Sequence, residues 1–336
     1  MLFDSFQRPL EDLRISVTDR CNFRCTYCMP LDEYDWIHKT EILTFEEIIR
    51  VANIFVGLGV KKIRLTGGEP LLRRGIENLV SHLAKLPGIE LCLTTNGTSL
   101  AEKALILRQA GLCRVNVSLD TLNPKKFSQV TQRGELAPVL KGLFAARDAG
   151  LKPIKINAVI ENGVNNDEIL DLVTFTRTND FTLRLIEYMD VGNSNQWTSD
   201  KLISAKEMFR VINKKYPLRR IGRTQDTAPA VNYEFEDQKG NLGIIASVTE
   251  PFCENCTRAR LTADGKLVTC LFSDKGYDLK THLRLGEDDK SVENRIKSIW
   301  QKRSDRYSQD RFQAIHSENG YEASKQKKIE MITLGG

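Results

Sequence analysis

Between residue 11 and about residue 190, short runs in which apolar and polar residues take turns alternate with longer runs of helical period, and the unit returns roughly every 25–40 residues. The strand-like runs are LRISV (13–17), KKIRLT (61–66), LCLTTN (91–96), RVNVSLD (114–120), IKINAVI (154–160) and LRLIEY (183–188). Helical patterns fill the intervals at 44–59, 76–86, 101–111, 137–150 and 166–177, and three of them stop on glycine, the usual helix terminator. Strands alternating with helices predict βαβ units and a parallel sheet. There are six units, where a closed barrel of this kind needs eight.

Side chains alternate between the two faces of a strand. Leu13, Ile15 and Val17 share one face; Arg14, Ser16 and Thr18 share the other. The same division separates Ile63 and Leu65 from Lys62, Arg64 and Thr66, and Val115, Val117 and Leu119 from Asn116, Ser118 and Asp120. It also separates Ile154 and Ile156 from Lys155 and Asn157, and Leu183 and Leu185 from Arg184. A parallel strand buried on both faces would read as continuously apolar. Here one face can meet the helices, while the polar face must line something wet or occupied. The expected fold class is therefore α/β, an incomplete (βα)6 TIM-like barrel with a substrate cavity.

After about residue 215 the pattern changes. Residues 232–248 and 260–272 read as hairpins, the second turning on Asp264-Gly265, a strong two-residue turn signal. A helix pattern follows at 287–302, and the chain ends in QKKIEMITLGG. These features predict two parts: a barrel over 1–215 and, over 216–336, a C-terminal hairpin-containing extension that closes the barrel's open side.

The chain of 336 residues has 41% hydrophobic residues, enough for a real core, and a net charge of +5, which suits an anionic substrate but also a scatter of surface lysines. No basic arm interleaved with aromatics points to nucleic acid. No stretch approaches the roughly 18 apolar residues of a membrane helix. The mixed charges of MLFDSFQRPLEDLR do not resemble a signal peptide. A cytoplasmic location is expected, and there eight cysteines in tight spacings point to metal or catalysis instead of disulfides. Cys92 and Cys113 stand alone and read as small core residues.

Cys21, Cys25 and Cys28 fall just after the first strand, at the edge where such folds build their sites. Three thiolates in one loop can hold three irons of a [4Fe–4S] cubane and leave the fourth open to a small molecule. Structural zinc is the competing reading of the spacing, but it wants a fourth ligand, and His38 is ten residues on. Cys253, Cys256 and Cys270 form a second set of three, and no further C-x2-C pair follows to complete a zinc ribbon. By itself TGGEP (66–70) is only a turn with room for close backbone approach.

The C-x3-C-x2-C spacing, with the aromatic Tyr27 before its last cysteine, resembles the radical S-adenosylmethionine superfamily. The motif order, the CTRARLTADG run after Cys256 and the terminal Gly335-Gly336 resemble one family within it, the GTP 3′,8-cyclases of molybdenum cofactor biosynthesis, from about residue 8 to residue 336. The resemblance implies a lyase with two [4Fe–4S] clusters. The first, on Cys21, Cys25 and Cys28, binds S-adenosylmethionine and cleaves it to a 5′-deoxyadenosyl radical. The second, on Cys253, Cys256 and Cys270, contacts the guanine of GTP. The radical removes the ribose 3′ hydrogen, and the ribose carbon then attacks C8 to give (8S)-3′,8-cyclo-7,8-dihydroguanosine 5′-triphosphate.

Carried onto this sequence, the family's S-adenosylmethionine contacts are Tyr27, Gly68, Ser118 and Met189. Its nucleotide contacts are Arg14, Arg64, Thr94, Lys155, Arg258, Ala259 and Arg260. Arginine forks suit phosphate oxygens, and Lys62 and Arg184 share the inward parity. The resemblance also implies a homodimer, an electron donor, a downstream cyclic pyranopterin monophosphate synthase as partner, and a C-terminal tail that enters the active site. The alternative is another radical enzyme with an auxiliary cluster that modifies a peptide. It calls for more cysteines than the second set has.

Overall fold

Six strands fall on the alternating runs: β1 (Asp12–Ser16), β2 (Lys62–Thr66), β3 (Glu90–Thr95), β4 (Arg114–Ser118), β5 (Ile154–Ile160) and β6 (Thr182–Glu187). The computed structural model describes residues 1–29, 34–317, 321–323 and 327–335. The six strands pair in parallel in chain order, with Leu13 beside Ile63 and Arg14 beside Arg64. Between them run α1 (Phe45–Gly57), α2 (Ile76–Leu83), α3 (Leu100–Gln109), α4 (Pro124–Thr131), α5 (Leu136–Asp148) and α6 (Ile169–Thr178).

Local chemistry explains the starts. Thr44 accepts from the Glu47 amide while the Glu47 carboxylate accepts from the Thr44 amide, a reciprocal cap that launches α1. The helix then buries Ile48, Val51, Ala52 and Phe55 against the sheet. The apolar strand parity meets these helices: Leu13, Ile15, Ile63, Leu65, Val115, Val117 and Ile156 are fully buried. Helices also form outside the runs of helical period. α4 begins with Asn123 capping two amides and Pro124 in its first turn, and α7 (Ala205–Lys215) begins on Ser204. Their caps were legible; their apolar stripes are short.

The sheet does not stop at six strands. β7 (Leu218–Gly222), β8 (Val231–Phe235) and β9 (Asn241–Ile245) form an antiparallel meander whose β9 lies parallel to β6. At the other edge β10 (Arg258–Leu261) lies parallel to β1 and folds back through β11 (Lys266–Val268) to β12 (Tyr277–Asp278). The two expected hairpins are thus β8–β9 and β10–β11, the latter turning at Gly265 with φ 78°. The result is a mixed twelve-stranded sheet in an α/β fold. Residues beyond 215 extend both edges of the sheet built by the first six strands. The chain finishes with α8 (Lys280–Arg284), α9 (Asp289–Gln301), α10 (Tyr307–Ile315) and α11 (Met331–Leu334), α9 matching the expected helix. Among the described residues no helix is long and apolar enough to cross a membrane.

Candidate active site

The polar strand parity encloses a cavity of about 640 Å³. Arg14, Lys62, Arg64, Thr94, Lys155 and Arg184 line it, and Arg258 and Arg260 join them from β10. The Arg14↔Arg260 and Arg14↔Arg64 registers put three guanidinium groups side by side. The crowding is visible in their proton affinities. Burial, then Arg184, Arg114 and other cations, pulls the Lys155 ammonium down to about 7. Burial and the neighbouring arginines hold Arg184 and Arg260 at about 10. Asp12, kept ionised by Arg14, Arg64 and Lys62 against its burial, is one acid among them, and Arg114 is paired with Glu90 at 2.5 Å. Among the described residues the buried Nε atoms of Arg14, Arg64 and Arg184 have no hydrogen-bond partner. A buried group of like charges with unsatisfied donors is costly alone and is satisfied by a polyanion.

At the mouth of β1 the first cysteine set is held by its neighbours. The amides of Arg24 and Thr26 donate to Thr131 and Val130 at the end of α4, and Phe23 meets Phe127 edge to face at 5.8 Å. The two glycines of TGGEP are required by contact. A Cβ on Gly67 would lie 2.4 Å from the Thr18 carbonyl oxygen, and one on Gly68 2.4 Å from that of Arg20. The amides of Gly68 and Glu69 donate to Thr18 and Arg20 at 2.7 Å each, so this loop registers the backbone that leads into Cys21. The Glu69 carboxylate is buried, accepts from Leu71 and Asn96 amides and the Thr95 hydroxyl, and is pushed up to about 7 by burial.

Burial raises all three thiols of this loop, Cys21 to about 11 and Cys28 to about 12; Cys28 and Cys21 raise Cys25 further, and Cys21 raises Cys28. Such sulfurs become thiolates when a cation sits on them, as cluster iron does. Among the described residues no three ligands converge as a single ion requires. A cubane takes each thiolate on a different iron, so the set fits a cluster. Tyr27 donates to Asp120 at 2.8 Å, and with Ser118 and Met189 it forms the wall of the cavity on this side.

Cys253, Cys256 and Cys270 line the opposite side of the same cavity, beside Arg258. They are supported by residues with no sequence signal. Buried Asp4 accepts from Arg8 at 2.6 Å and Arg303 at 3.2 Å. Arg8 donates to the Cys253 carbonyl, and Arg303 to the Cys256 carbonyl at 2.7 Å and its sulfur at 3.2 Å. Burial would raise the Cys256 thiol, but Arg258 and Arg303 outweigh it and bring it to about 6. Burial pushes the Cys270 thiol up to about 12, so this sulfur, like those of the first set, becomes a thiolate when a cation sits on it.

Most site residues expected from the sequence meet here. Cys21, Cys25, Cys28 and Gly68 do not line the cavity, although Tyr27 between the last two cysteines does. The Ala259 side chain points away: it pairs with Leu13 and is fully buried in the core, so the alternation that turns Arg258 and Arg260 inward turns Ala259 outward. The chain's end arrives as well. Met331 lines the cavity, Ile332 and Leu334 are buried, and Gly335 lies against Thr66; Gly336 is outside the described residues.

Comparison with known proteins adds to this geometry. The family model described as Radical SAM superfamily matches residues 15–176, and that described as Molybdenum Cofactor Synthesis C matches residues 181–309. The chain is 45% identical to the GTP 3′,8-cyclase of Acidothermus cellulolyticus over 99% of this chain and 98% of that protein. It is 47% identical to that of Aquifex aeolicus over the whole of both chains, and 43% identical to that of Xanthomonas axonopodis. Among solved structures, Streptococcus suis SuiB bound to precursor peptide SuiA superposes with a TM-score of 0.61 at 18% identity, covering 87% of this chain and 64% of SuiB. That likeness speaks to the fold.

Proposed function

The chain belongs to the GTP 3′,8-cyclase family of radical S-adenosylmethionine enzymes, and from this premise we propose the role of each group in its cavity. The enzyme converts GTP to (8S)-3′,8-cyclo-7,8-dihydroguanosine 5′-triphosphate in molybdenum cofactor biosynthesis, with S-adenosylmethionine and [4Fe–4S] clusters as cofactors. When bound, these supply the electron and the 5′-deoxyadenosyl radical that abstracts hydrogen from the ribose.

In this reading Cys21, Cys25 and Cys28 hold the first cluster, and Cys253, Cys256 and Cys270 hold the second. Tyr27, Ser118, Met189 and the Gly68 backbone hold S-adenosylmethionine. Arg14, Arg64, Thr94 and Lys155 hold the triphosphate, and the segment from Arg258 through Ala259 to Arg260 holds the nucleotide beside the second cluster, Ala259 by its backbone. The observation that carries the reading is one cavity with a cationic floor, bounded by Cys253, Cys256 and Cys270 on one side and by Tyr27, Ser118 and Met189 on the other. A nucleotide bound there would have its phosphates neutralised and its base and ribose between the two cysteine sets.

The parallel β1–β6 run supports an incomplete (βα)6 barrel over 1–215 whose open side is covered by 216–336. A cytoplasmic homodimer, reduced by an electron donor and feeding a cyclic pyranopterin monophosphate synthase, completes the reading. No observation favours the peptide-modifying alternative. The test is anaerobic incubation of the reconstituted chain with GTP, S-adenosylmethionine and reductant. The cyclised nucleotide should accumulate with 5′-deoxyadenosine; 5′-deoxyadenosine beside unchanged GTP would overturn the reading.

A further inference from the structure

Asp190 stands three residues past the end of β6, next to Met189, and is the hub of a buried charge cluster. One carboxylate oxygen pairs with Arg311 of α10. The other accepts from Lys328 at 2.6 Å, from Tyr307 at 2.7 Å and from Tyr321. Lys328 also donates to the Asp190 carbonyl at 2.6 Å, and Arg311 to the Ser247 carbonyl. Asp190, Arg311 and Lys328 are each less than 5% exposed. Burial would raise the carboxyl, but Arg311 and Lys328 hold it down to about 2.

The two cations differ in origin. Arg311 belongs to a helix, whereas Lys328 opens the terminal strap. Beyond it the Ile329 amide donates to Ser273, and Glu330 accepts from Asn193 at 2.8 Å and Ser194 at 3.1 Å. Gly192 leaves room for this path, since a Cβ there would lie 2.7 Å from the Glu330 carboxylate. Seven residues after Lys328, Gly335 reaches Thr66 and Arg260. Ordering such a segment costs conformational entropy at every residue, so it needs an anchor. Asp190 keeps Arg311 as counter-charge if Lys328 leaves, so the strap can detach without stranding a buried carboxylate.

We propose that the Asp190–Lys328 pair is a latch that seats residues 328–335 over the cavity, making Asp190 and Lys328 positioning residues that act on cyclisation through the tail. The catalytic consequence rests on the cyclase reading; the latch itself does not. The test is Lys328→Met in the reconstituted holoenzyme, which keeps the aliphatic stem and leaves Asp190 paired with Arg311. Amide exchange in 329–335 should accelerate at least about tenfold while β1–β6 stay protected. Iron content and GTP affinity should stay within about threefold of wild type, and the ratio of cyclised nucleotide to 5′-deoxyadenosine should fall at least about fivefold. Lys328→Arg should restore both. Unchanged exchange in the tail, or loss of iron and of cooperative melting in Lys328→Met, would overturn the latch. If the wild type itself yields no cyclised nucleotide, the cyclase reading fails and exchange alone judges the latch.

Discussion

Arg260 donates to the carbonyl oxygen of Gly335 across 3.0 Å, tying β10 to the end of a chain 75 residues further on. Gly335 has φ 72°, and a Cβ on it would lie 2.3 Å from Thr66 Cγ2 and 2.9 Å from the Gly67 nitrogen. The last described residue is therefore wedged between a cavity-lining arginine and the TGGEP loop, where only glycine fits.

Gly335→Ala should consequently displace the tail and little else. Iron content, melting temperature and GTP affinity should stay near wild type, while cyclised nucleotide falls at least about tenfold, or about 1.4 kcal/mol in the barrier. Deleting residues 335 and 336 should do the same. Wild-type product formation by either variant would show that the contact with Arg260 is incidental.

The cysteine sets should assemble independently, since the first follows β1 while Cys253 and Cys256 precede β10, whose parallel register with β1 puts the two loops at opposite ends of these strands. Anaerobic reconstitution should yield about eight irons per chain, four for each cubane. Cys25→Ala should abolish S-adenosylmethionine cleavage; Cys256→Ala should retain about four irons and still cleave it. Bound zinc after anaerobic purification would contradict this assignment.

The buried Nε of Arg14 has no hydrogen-bond partner among the described residues, so it can donate to a bound acceptor. Arg14→Ala should weaken GTP binding by about 1.5–3 kcal/mol, the scale of a hydrogen bond to a charged group, and calorimetry would measure it. Affinity for S-adenosylmethionine should change much less. Equal loss for both ligands would mean that Arg14 supports the sheet generally.

If Lys155 holds the nucleotide as proposed, GTP binding has a pH dependence whose sign is fixed. Its ammonium is pulled down to about 7 in the free enzyme by burial and by the cations around it. A bound triphosphate reverses the local field and raises it, so above pH 7 binding must take up a proton. GTP affinity should fall as pH rises through 7 and beyond, by at most about tenfold per unit. Titrations in buffers of different ionisation enthalpy should register proton uptake at pH 8. Lys155→Arg, which stays charged, should lose both effects; a pH-independent wild type would refute the linkage.

What the sequence determined by itself is whatever depends on near neighbours along the chain. Period-two alternation located β1–β6 and set Arg14, Arg64, Lys155 and Arg184 on one face, because strand geometry leaves them no other choice. The spacing of Cys21, Cys25 and Cys28, and of Cys253 and Cys256, falls within single loops, so the expectation of a ligand set there needs only near neighbours. Only the tertiary structure decided the rest. It set β10 beside β1 and β9 beside β6, so that Cys253, Cys256 and Cys270 face the same cavity as Tyr27 and Met189. It gathered Asp4, Arg8 and Arg303 behind the second cysteine set, and Asp190, Arg311 and Lys328 beneath the tail. It also buried Ala259 between two inward arginines. These partners lie up to about 300 positions apart and share no period or motif; their pairing is selected by the cost of burying a charge alone, which exists only once the chain has closed around it.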